Sequence, residues 1–485
     1  MRLQNILGIS AGFHDAAASV INTRGEILFA GHSERYSKKK NDADIHPGLL
    51  ADLNQYSIHH VAYYERPWNK QLRQLYSGQG IEWSKLTTNQ ILKTQLQGYF
   101  EQATVSSHNH HLSHAAGGFQ TSTFDRATVV VIDAIGEWDT VTIWGAEYQN
   151  GQARYRRLWR QLYPNSIGLF YTAVTDRVGL RPMEDEYVLM GMAAYGNACY
   201  RNHLHKIAQD NLHAGIDPEF LPNAQNEDIA ASAQVVCEEM IYSVMRRARE
   251  FAWSTNLVYS GGVALNCLAN RNLGEYFEKI WIMPCPGDSG SSLGAAALAY
   301  GGRLQFNHAY LGHDIGGPYP VDAVLRSLLD DRICGVASGQ AEFGPRALGN
   351  RSLLADPRGP DIKYLVNAIK RRQQFRPFAP VILEEYVDQY FFMPKNWVDS
   401  KYMQIVGYCR HPELYPAITH HDGTSRIQTV PKDGSGIRSL LEAWYATTGC
   451  PMLLNTSLNI RGEPMVNDRR DADRFEEAYN VRVWS

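Results

Sequence analysis

The sequence predicts an α/β protein built in two parts, the first of them duplicated. Two stretches share one layout: ILGISAGFHDAAASVINTRGEILFAGHSER at residues 6–35 and ATVVVIDAIGEWDTVTIWGAEYQNGQARYRR at residues 127–157. Each opens with a β-branched run, breaks at a small residue beside an acid, resumes as a strand and turns at NTRG or QNGQ. Runs bounded by such turns are hairpins. Two hairpins in the same order suggest two halves of a duplicated fold. Strand, glycine turn and helix start then alternate in LVYSGGVALNCLAN (257–270) and MPCPGDSGSSLGAAALAYGG (283–302). The Gly- and Pro-rich segment 303–325 reads as the hinge to a second part that begins near Arg326.

Composition narrows the class. The chain has 485 residues, 44% of them hydrophobic and 20% charged, as in an ordinary globular protein of about two to four domains. A formal charge of −3 gives no global drive towards nucleic acid or membrane. The seven cysteines are scattered and form no C-x-x-C, which argues against a disulfide framework or a structural zinc site and for a reducing compartment. MRLQNILGIS carries no long apolar leader, and no apolar run is long enough to span a bilayer, so a cytoplasmic protein with no membrane partner is expected.

Between the two halves lies HHLSHAAGGF, residues 110–119. On a helix, His110 and His114 stand at i and i+4 and share a face. They are either half of a metal site awaiting carboxylates, or capping and solvated histidines at a polar helix end. In residues 257–270, Gly261 and Gly262 allow a ligand to approach the backbone closely. The following helix start, with Asn266, favours negative charge. In residues 283–302, Asp288 sits in a Gly/Ser turn before an Ala-rich helix whose small residues permit tight packing. RYRRLWRQLY, residues 154–163, interleaves cations and aromatics, as nucleic-acid surfaces do and as the solvated face of a twisted strand does. Lys38, Lys39 and Lys40 add a basic run close in sequence to the His14 turn.

The second part is marked by EFGPRALGNRSLLADPRGPDIKYLVNAIKRRQQFRPFAP, residues 342–380. From Arg346 to Arg376 the cations are Arg346, Arg351, Arg358, Lys363, Lys370, Arg371, Arg372 and Arg376, against only Asp356 and Asp361. That excess is either a polyanion pocket or a basic surface patch. TGCPMLLNTSLNIRGEP, residues 448–464, reads as a strand followed by Asn455, Thr456, Ser457 and Asn459 in a loop. Those residues could orient a small polar ligand or cap a turn.

Taken in order over residues 8–464, GISAGFHDAAASV, HHLSHAA, VIDAIGEWDT, DEYVLMGMAAYG, SGGVALNC, PGDSGSSLGAA, FGPRALGNRSLLADPR, FRPFAP, DGTSRIQTV and LLNTSLNIRGEP resemble the O-carbamoyltransferase family, which includes nodulation-factor and antibiotic-tailoring enzymes. The resemblance implies a Kae1-like first lobe, residues 1–325, with the duplicated fold of actin, Hsp70 and sugar kinases. It implies a YrdC-like α/β second lobe, residues 326–485. Carbamoyl phosphate and ATP, the latter with Mg, become co-substrates of a carbamoyl-adenylate made in the second lobe. The first lobe then passes the carbamoyl group to a hydroxyl of a small-molecule sugar or natural product. Hydroxymethylated pyrimidines in DNA are the alternative acceptor, and a non-catalytic nucleotide-binding scaffold is the alternative of another class. A homodimer is a further expectation.

The same resemblance assigns residues. His110, His114, Asp133 and Asp288 become metal ligands, with Fe(II) expected and Mn(II) or Zn(II) as alternatives. His14 meets the acceptor hydroxyl or the carbamoyl group as a general base, and His111 stands behind the metal or faces substrate. Lys370 and Ser457 act where the adenylate forms, and Arg346, Arg372, Arg376 and Arg426 clamp anionic oxygens beside Asn455 and Thr456. Asp185, in DEYVLMG, joins the catalytic set. The chain departs from the family pattern at Val188 (usually Lys), Gln373 (Glu), Ala134 (Gly) and Asn41 (His). None of these touches the metal ligands, Lys370 or Ser457.

Overall fold

The β-branched runs fold as hairpins because each is bounded by a turn and mostly buried; Ala17–Ile21 is buried along its whole length. In this computed structural model, which describes residues 4–374, 376–434 and 436–485, β1 (Asn5–Ser10), β2 (Ala17–Ile21) and β3 (Ile27–His32) form an antiparallel meander. β4 (Ile58–Tyr63) and β5 (Thr104–Ser107) extend it in parallel beyond β1, giving the order β3-β2-β1-β4-β5. The second half repeats this. β6 (Arg126–Gly136), β7 (Asp139–Gln149) and β8 (Gln152–Leu162) are antiparallel. β9 (Asn256–Ser260) and β10 (Lys279–Trp281) follow in parallel beyond β6, and the order is β10-β9-β6-β7-β8. Read outward from β1 and from β6, the two sheets have one topology. This is the duplicated actin, Hsp70 and sugar-kinase arrangement, and the repeat expected from residues 6–35 and 127–157 is real.

Two helices bring the halves' site residues together. His110–Thr121 packs against Ser291–Tyr300. The approach is so close that a Cβ on Gly294 would collide with the Ser113 carbonyl oxygen. The small residues of both helices are therefore a packing requirement, as the sequence suggested.

The chain divides into two compact units. The first comprises the residues up to Glu34, Asn41–Ala269 and Leu273–Asn307; the second comprises Arg35–Lys40, Asn270–Asn272 and the chain from His308 onward. β11 (Tyr310–Asp314) pairs with β13 (Gln340–Glu342), so most of the Gly- and Pro-rich segment 303–325, from His308 on, is compact with the second unit. The run Lys38–Lys40 also groups with the second unit rather than with the His14 turn, and the Lys38 ammonium pairs with Asp471.

The second unit is built on a six-stranded mixed sheet of β12 (Ile333–Ala337), β14 (Arg351–Ala355), β15 (Ala379–Leu383), β19 (Gln428–Val430), β20 (Met452–Ser457) and β21 (Val483–Trp484). A smaller sheet joins β16 (Phe391–Phe392), β17 (Val406–Cys409) and β18 (Thr424–Arg426). Helices Val321–Asp330 and Gly436–Thr448 pack together over the larger sheet around Trp444. Among the described residues, no helix is long and apolar enough to cross a membrane.

Candidate functional site

The first unit gathers His110, His114, Asp133 and Asp288, all buried, with ligand atoms within 4.8 Å of one another. Each arrives by a local rule. Asn109 caps the helix His110–Thr121 by accepting from the Leu112 N–H at 3.0 Å, and Glu137 accepts from the His110 N–H at 3.2 Å. That fixes where the i, i+4 pair starts. The pairing of β6 with β7 shifts register between Ile132 and Gly136, so Asp133 leaves the ladder at the strand's end. Asp288 opens a single 3-10 turn, Asp288–Gly290, ahead of the helix Ser291–Tyr300.

The geometry suits a divalent cation. The Nε2 atoms of His110 and His114 face each other at 3.1 Å. Both lie 3.2–3.4 Å from Asp133 Oδ2 and Asp288 Oδ1. His114 Nδ1–H donates to the Pro286 carbonyl at 3.1 Å, which leaves its Nε2 lone pair free. His110 Nδ1 faces the buried Glu65 carboxylate at 3.5 Å, and Lys70 Nζ donates to Glu65 at 2.8 Å. Burial alone would raise the Glu65 carboxyl, but Lys70 and His110 hold it below its ordinary range, as a carboxylate. Burial opposes charge on His110 as well; Asp288, Asp133 and Glu65 overcome it and push that imidazole well above its ordinary value. Burial opposes charge on His114 too, and Asp133 and Asp288 raise it as well. Two imidazoles and two carboxylates pointing at one another across such distances favour positive charge among them and fit a cation of Fe(II), Mn(II) or Zn(II) type.

His14 stands at the edge of this cluster, with Nε2 3.6 Å from Asp288 Oδ2 and Nδ1 2.9 Å from Asp15 Oδ2. Burial works against its protonation, yet the Asp15 hydrogen bond and the Asp288 charge raise it to about 9. A cation held by Asp288 would cancel part of that pull and return His14 towards a base. His111 turns the other way: Nδ1 lies 2.9 Å from Thr142 Oγ1, and burial keeps the ring neutral.

The other expected residues of this unit have different tasks. Gly261 (φ +92°) permits the turn after β9, where a Cβ would strike the Ile132 carbonyl, and Gly262 lies against Asp133. The glycine pair thus serves the metal cluster. The expected helix N-terminus is absent. Gly262–Leu265 is a 3-10 turn and Cys267–Asn270 a single helical turn, too short for a dipole site. Asn266 is engaged by Gln234 at 3.0–3.1 Å and accepts from the Ala269 N–H. Asp185 precedes the helix Glu186–Met192 and accepts from Arg181 Nε at 3.1 Å and Arg181 N–H at 3.2 Å. None of its contacts among the described residues reaches the four ligands.

In the second unit Lys370 meets the NTS segment. Its Nζ donates to the Ser457 carbonyl at 2.6 Å and to the Asn459 side-chain carbonyl. Ser457 Oγ lies 2.7 Å from Asn459 Oδ1. Burial, followed by Arg372, Arg376 and Lys40, pushes the Lys370 amine well below its ordinary value, and no carboxylate accepts from it among the described residues. Arg372 is fixed by Asn367 at 2.6 Å. Arg346 is half-buried on the loop between β13 and β14, and Arg426 closes β18. Asn455 and Thr456 belong to β20, which runs through Ser457; the loop expected there starts later because β14 pairs with all three residues. Asn455 holds the GPRALGN loop by donating to the Ala347 carbonyl at 3.1 Å. Two cations of the basic stretch are structural: Arg351 is buried and donates to the carbonyls of Ser338, Asn350, Asn467, His313 and Gly339, and Arg358 forks onto Asp356.

Sequence reasoning missed Glu65, Lys70, Glu137 and Glu342. Glu137 accepts from Arg66, Asn69, Asn109 and the His110 N–H. Glu342 accepts from the N–H groups of Leu348, Asn350 and Arg351 at 2.8–3.2 Å, shaping the loop that carries Arg346. The one available signal was position: Glu65 follows the apolar end of β4, just as Asp133 ends the apolar run of β6.

Residues 54–214 and 203–297 match the family model described as carbamoyltransferase N-terminus, and residues 325–484 match carbamoyltransferase C-terminus. An uncharacterized protein of Synechocystis is 32% identical over 97% of this chain and 94% of its own length. Nodulation protein NolNO of Sinorhizobium fredii is 30% identical over 97% of this chain and 78% of its own length. The 3'-hydroxymethylcephem-O-carbamoyltransferase of Amycolatopsis lactamdurans is 29% identical over 82% and 85%. Among solved structures, full-length HypF in its phosphate- and nucleotide-bound form covers 61% of this chain and 55% of its own, with 14% identity and a TM-score of 0.35.

Proposed function

Given that this chain belongs to the carbamoyltransferase family, we propose that it is an ATP-dependent O-carbamoyltransferase acting on the hydroxyl of a small molecule. Carbamoyl phosphate loses its phosphate to water. A carbamate oxygen then bonds the α-phosphorus of ATP as pyrophosphate leaves, giving carbamoyl-adenylate. The acceptor hydroxyl oxygen next bonds the carbamoyl carbon, AMP leaves, and the hydroxyl proton passes to a base.

The observation that carries this reading is the four-ligand cluster with His14 beside Asp288. His14 Nε2 is the atom we assign to take the hydroxyl proton. Bound among His110, His114, Asp133 and Asp288, a divalent cation, with Fe(II) the form we favour, would polarise the carbonyl or orient the adenylate. In the second unit, which we read as the YrdC-like lobe, Lys370, Arg372, Arg376, Arg346 and Arg426 hold the anionic oxygens of carbamoyl phosphate and Mg·ATP. An incoming polyanion would restore the charge that burial withholds from Lys370. Asp185, expected in the catalytic set, is held by Arg181, and no step of the reaction is assigned to it. A DNA acceptor draws no support from residues 154–163. Residues 154–162 lie on β8, as a solvated strand face on which Arg157 and Arg160 stand 3.9 Å from Asp139 and Trp159 lies under Arg247.

The test is pyrophosphate release by purified, metal-supplied protein, with and without carbamoyl phosphate, followed by addition of amino sugars or hydroxymethylated DNA. Release that needs carbamoyl phosphate, with carbamoylated product from a small molecule, is expected. No release under any condition would return the chain to a nucleotide-binding scaffold.

A further inference from the structure

The helix Pro67–Tyr76 is inside out. Apart from Pro67 at its start, its buried residues are all polar: Lys70, Gln71, Arg73 and Gln74. The opposite face presents Trp68 (52% exposed), Leu72 (48%), Leu75 (51%) and Tyr76 (71%). An amphipathic helix ordinarily turns its apolar stripe to the core. This one cannot, because its polar face is in use: Lys70 holds Glu65 behind His110, Gln71 accepts from the Glu82 N–H at 2.8 Å, and Arg73 donates to Gln79 at 2.9 Å. The stripe is enlarged by Trp83 (71% exposed), in the turn that packs beside the helix, and by Trp138, whose ring lies 5.4 Å from Tyr76.

We propose that this face is where two copies of the chain associate across a two-fold axis. Trp68, Leu72 and Leu75 recur at i, i+4 and i+7, the spacing of a short knobs-into-holes seam that takes another helix. A second copy offers the same stripe, so the contact is self-complementary and closes. With a fully exposed aromatic at about 150–250 Å², the exposed parts of these five side chains supply about 600 Å². Doubled, that is about 1,200 Å², the lower limit of a stable interface before any rim residue is added. Charge at the rim is self-satisfied, with Glu82 and Lys85 paired at 2.9 Å, so no charged partner is demanded. A substrate acceptor does not fit this face. Lys70, whose Nζ lies 4.1 Å from the Phe13 ring next to His14, is on the opposite side of the helix, and the stripe points away from the transfer centre.

The proposal stands apart from the catalytic reading, since it uses no substrate or metal. Sedimentation equilibrium of the full chain should give twice the chain mass at concentrations up to about 100 μM. Leu72→Glu and Trp68→Glu should each halve that mass while metal content and circular dichroism stay unchanged, because both side chains are on the solvent face. In a Cys199→Ser background, which removes the exposed cysteine, Leu72→Cys should form a covalent dimer on mild oxidation. A wild-type chain of single mass throughout would overturn the proposal, as would a dimer indifferent to both substitutions. A monomer whose Leu72→Glu variant loses acceptor binding would overturn it in favour of an acceptor surface.

Discussion

The four-ligand cluster of the first unit and the surroundings of Lys370 in the second are both buried, yet their charges are arranged in opposite ways. Around His110 and His114, every cationic group faces an acid: Asp133, Asp288 and Glu65 encircle the imidazoles, and Lys70 balances Glu65. Among the described residues, Lys370 donates to the carbonyl oxygens of Ser457 and Asn459 and to the Ser457 hydroxyl, and its charged neighbours are Arg372, Arg376 and Lys40. The first arrangement is complete except for the protons a cation would displace. The second is incomplete without an anion, because like charges held together in a low dielectric repel until something neutralises them. The two clusters thus use the same buried-polar chemistry with opposite balances of charge, acids gathered around the two histidines and cations around Lys370.

Four substitutions would break or sharpen that contrast. The largest effect is expected from Asp288→Asn, which should abolish stoichiometric metal binding and lower transfer to acceptor by about a thousandfold or more, the several kcal/mol a bound metal supplies. Carbamoyl-phosphate-dependent pyrophosphate release should persist, and equal loss of both half-reactions would show that the two sites are not separable. Lys370→Met should do the reverse, cutting pyrophosphate release by about a hundred- to a thousandfold with metal content unchanged. Normal release by that variant would remove Lys370 from the adenylating step. A smaller effect is expected from Glu65→Ala, measured by competition with a chelator. Metal affinity should fall by about 10- to 100-fold, since Glu65 orients His110 without touching the ion. Lys70→Met should shift affinity the same way by less, and an unchanged affinity in both would make the pair purely structural.

What the sequence determined by itself was local. β-branched runs bounded by NTRG and QNGQ specified the hairpins of both halves. The spacing of His110 and His114 specified one face of one helix. The small residues after Asp288 specified a close helix contact. Each of these is written within a dozen residues, where backbone sterics and hydrophobic period decide the outcome. The resemblance to carbamoyltransferases added Asp133 and Asp288 as partners for the two histidines, which no local pattern could do.

Tertiary structure decided the rest. Arg351 is indistinguishable from its neighbours in the basic stretch, yet it is buried on five carbonyls, because satisfaction of a guanidinium depends on loops brought from elsewhere. The NTS residues stay in β20 because β14 pairs with them, a contact about a hundred residues away in sequence. Gly261 and Gly262 turned out to admit Asp133 and the end of β6 rather than to open a helix. The outward face of Pro67–Tyr76 is the clearest case. Its pattern reads as an ordinary amphipathic helix, and only the demand of a buried Glu65 for Lys70 decides which face turns inward. A buried unpaired carboxylate costs more than an exposed apolar stripe, so the ion pair sets the orientation and leaves the hydrophobic side for a partner.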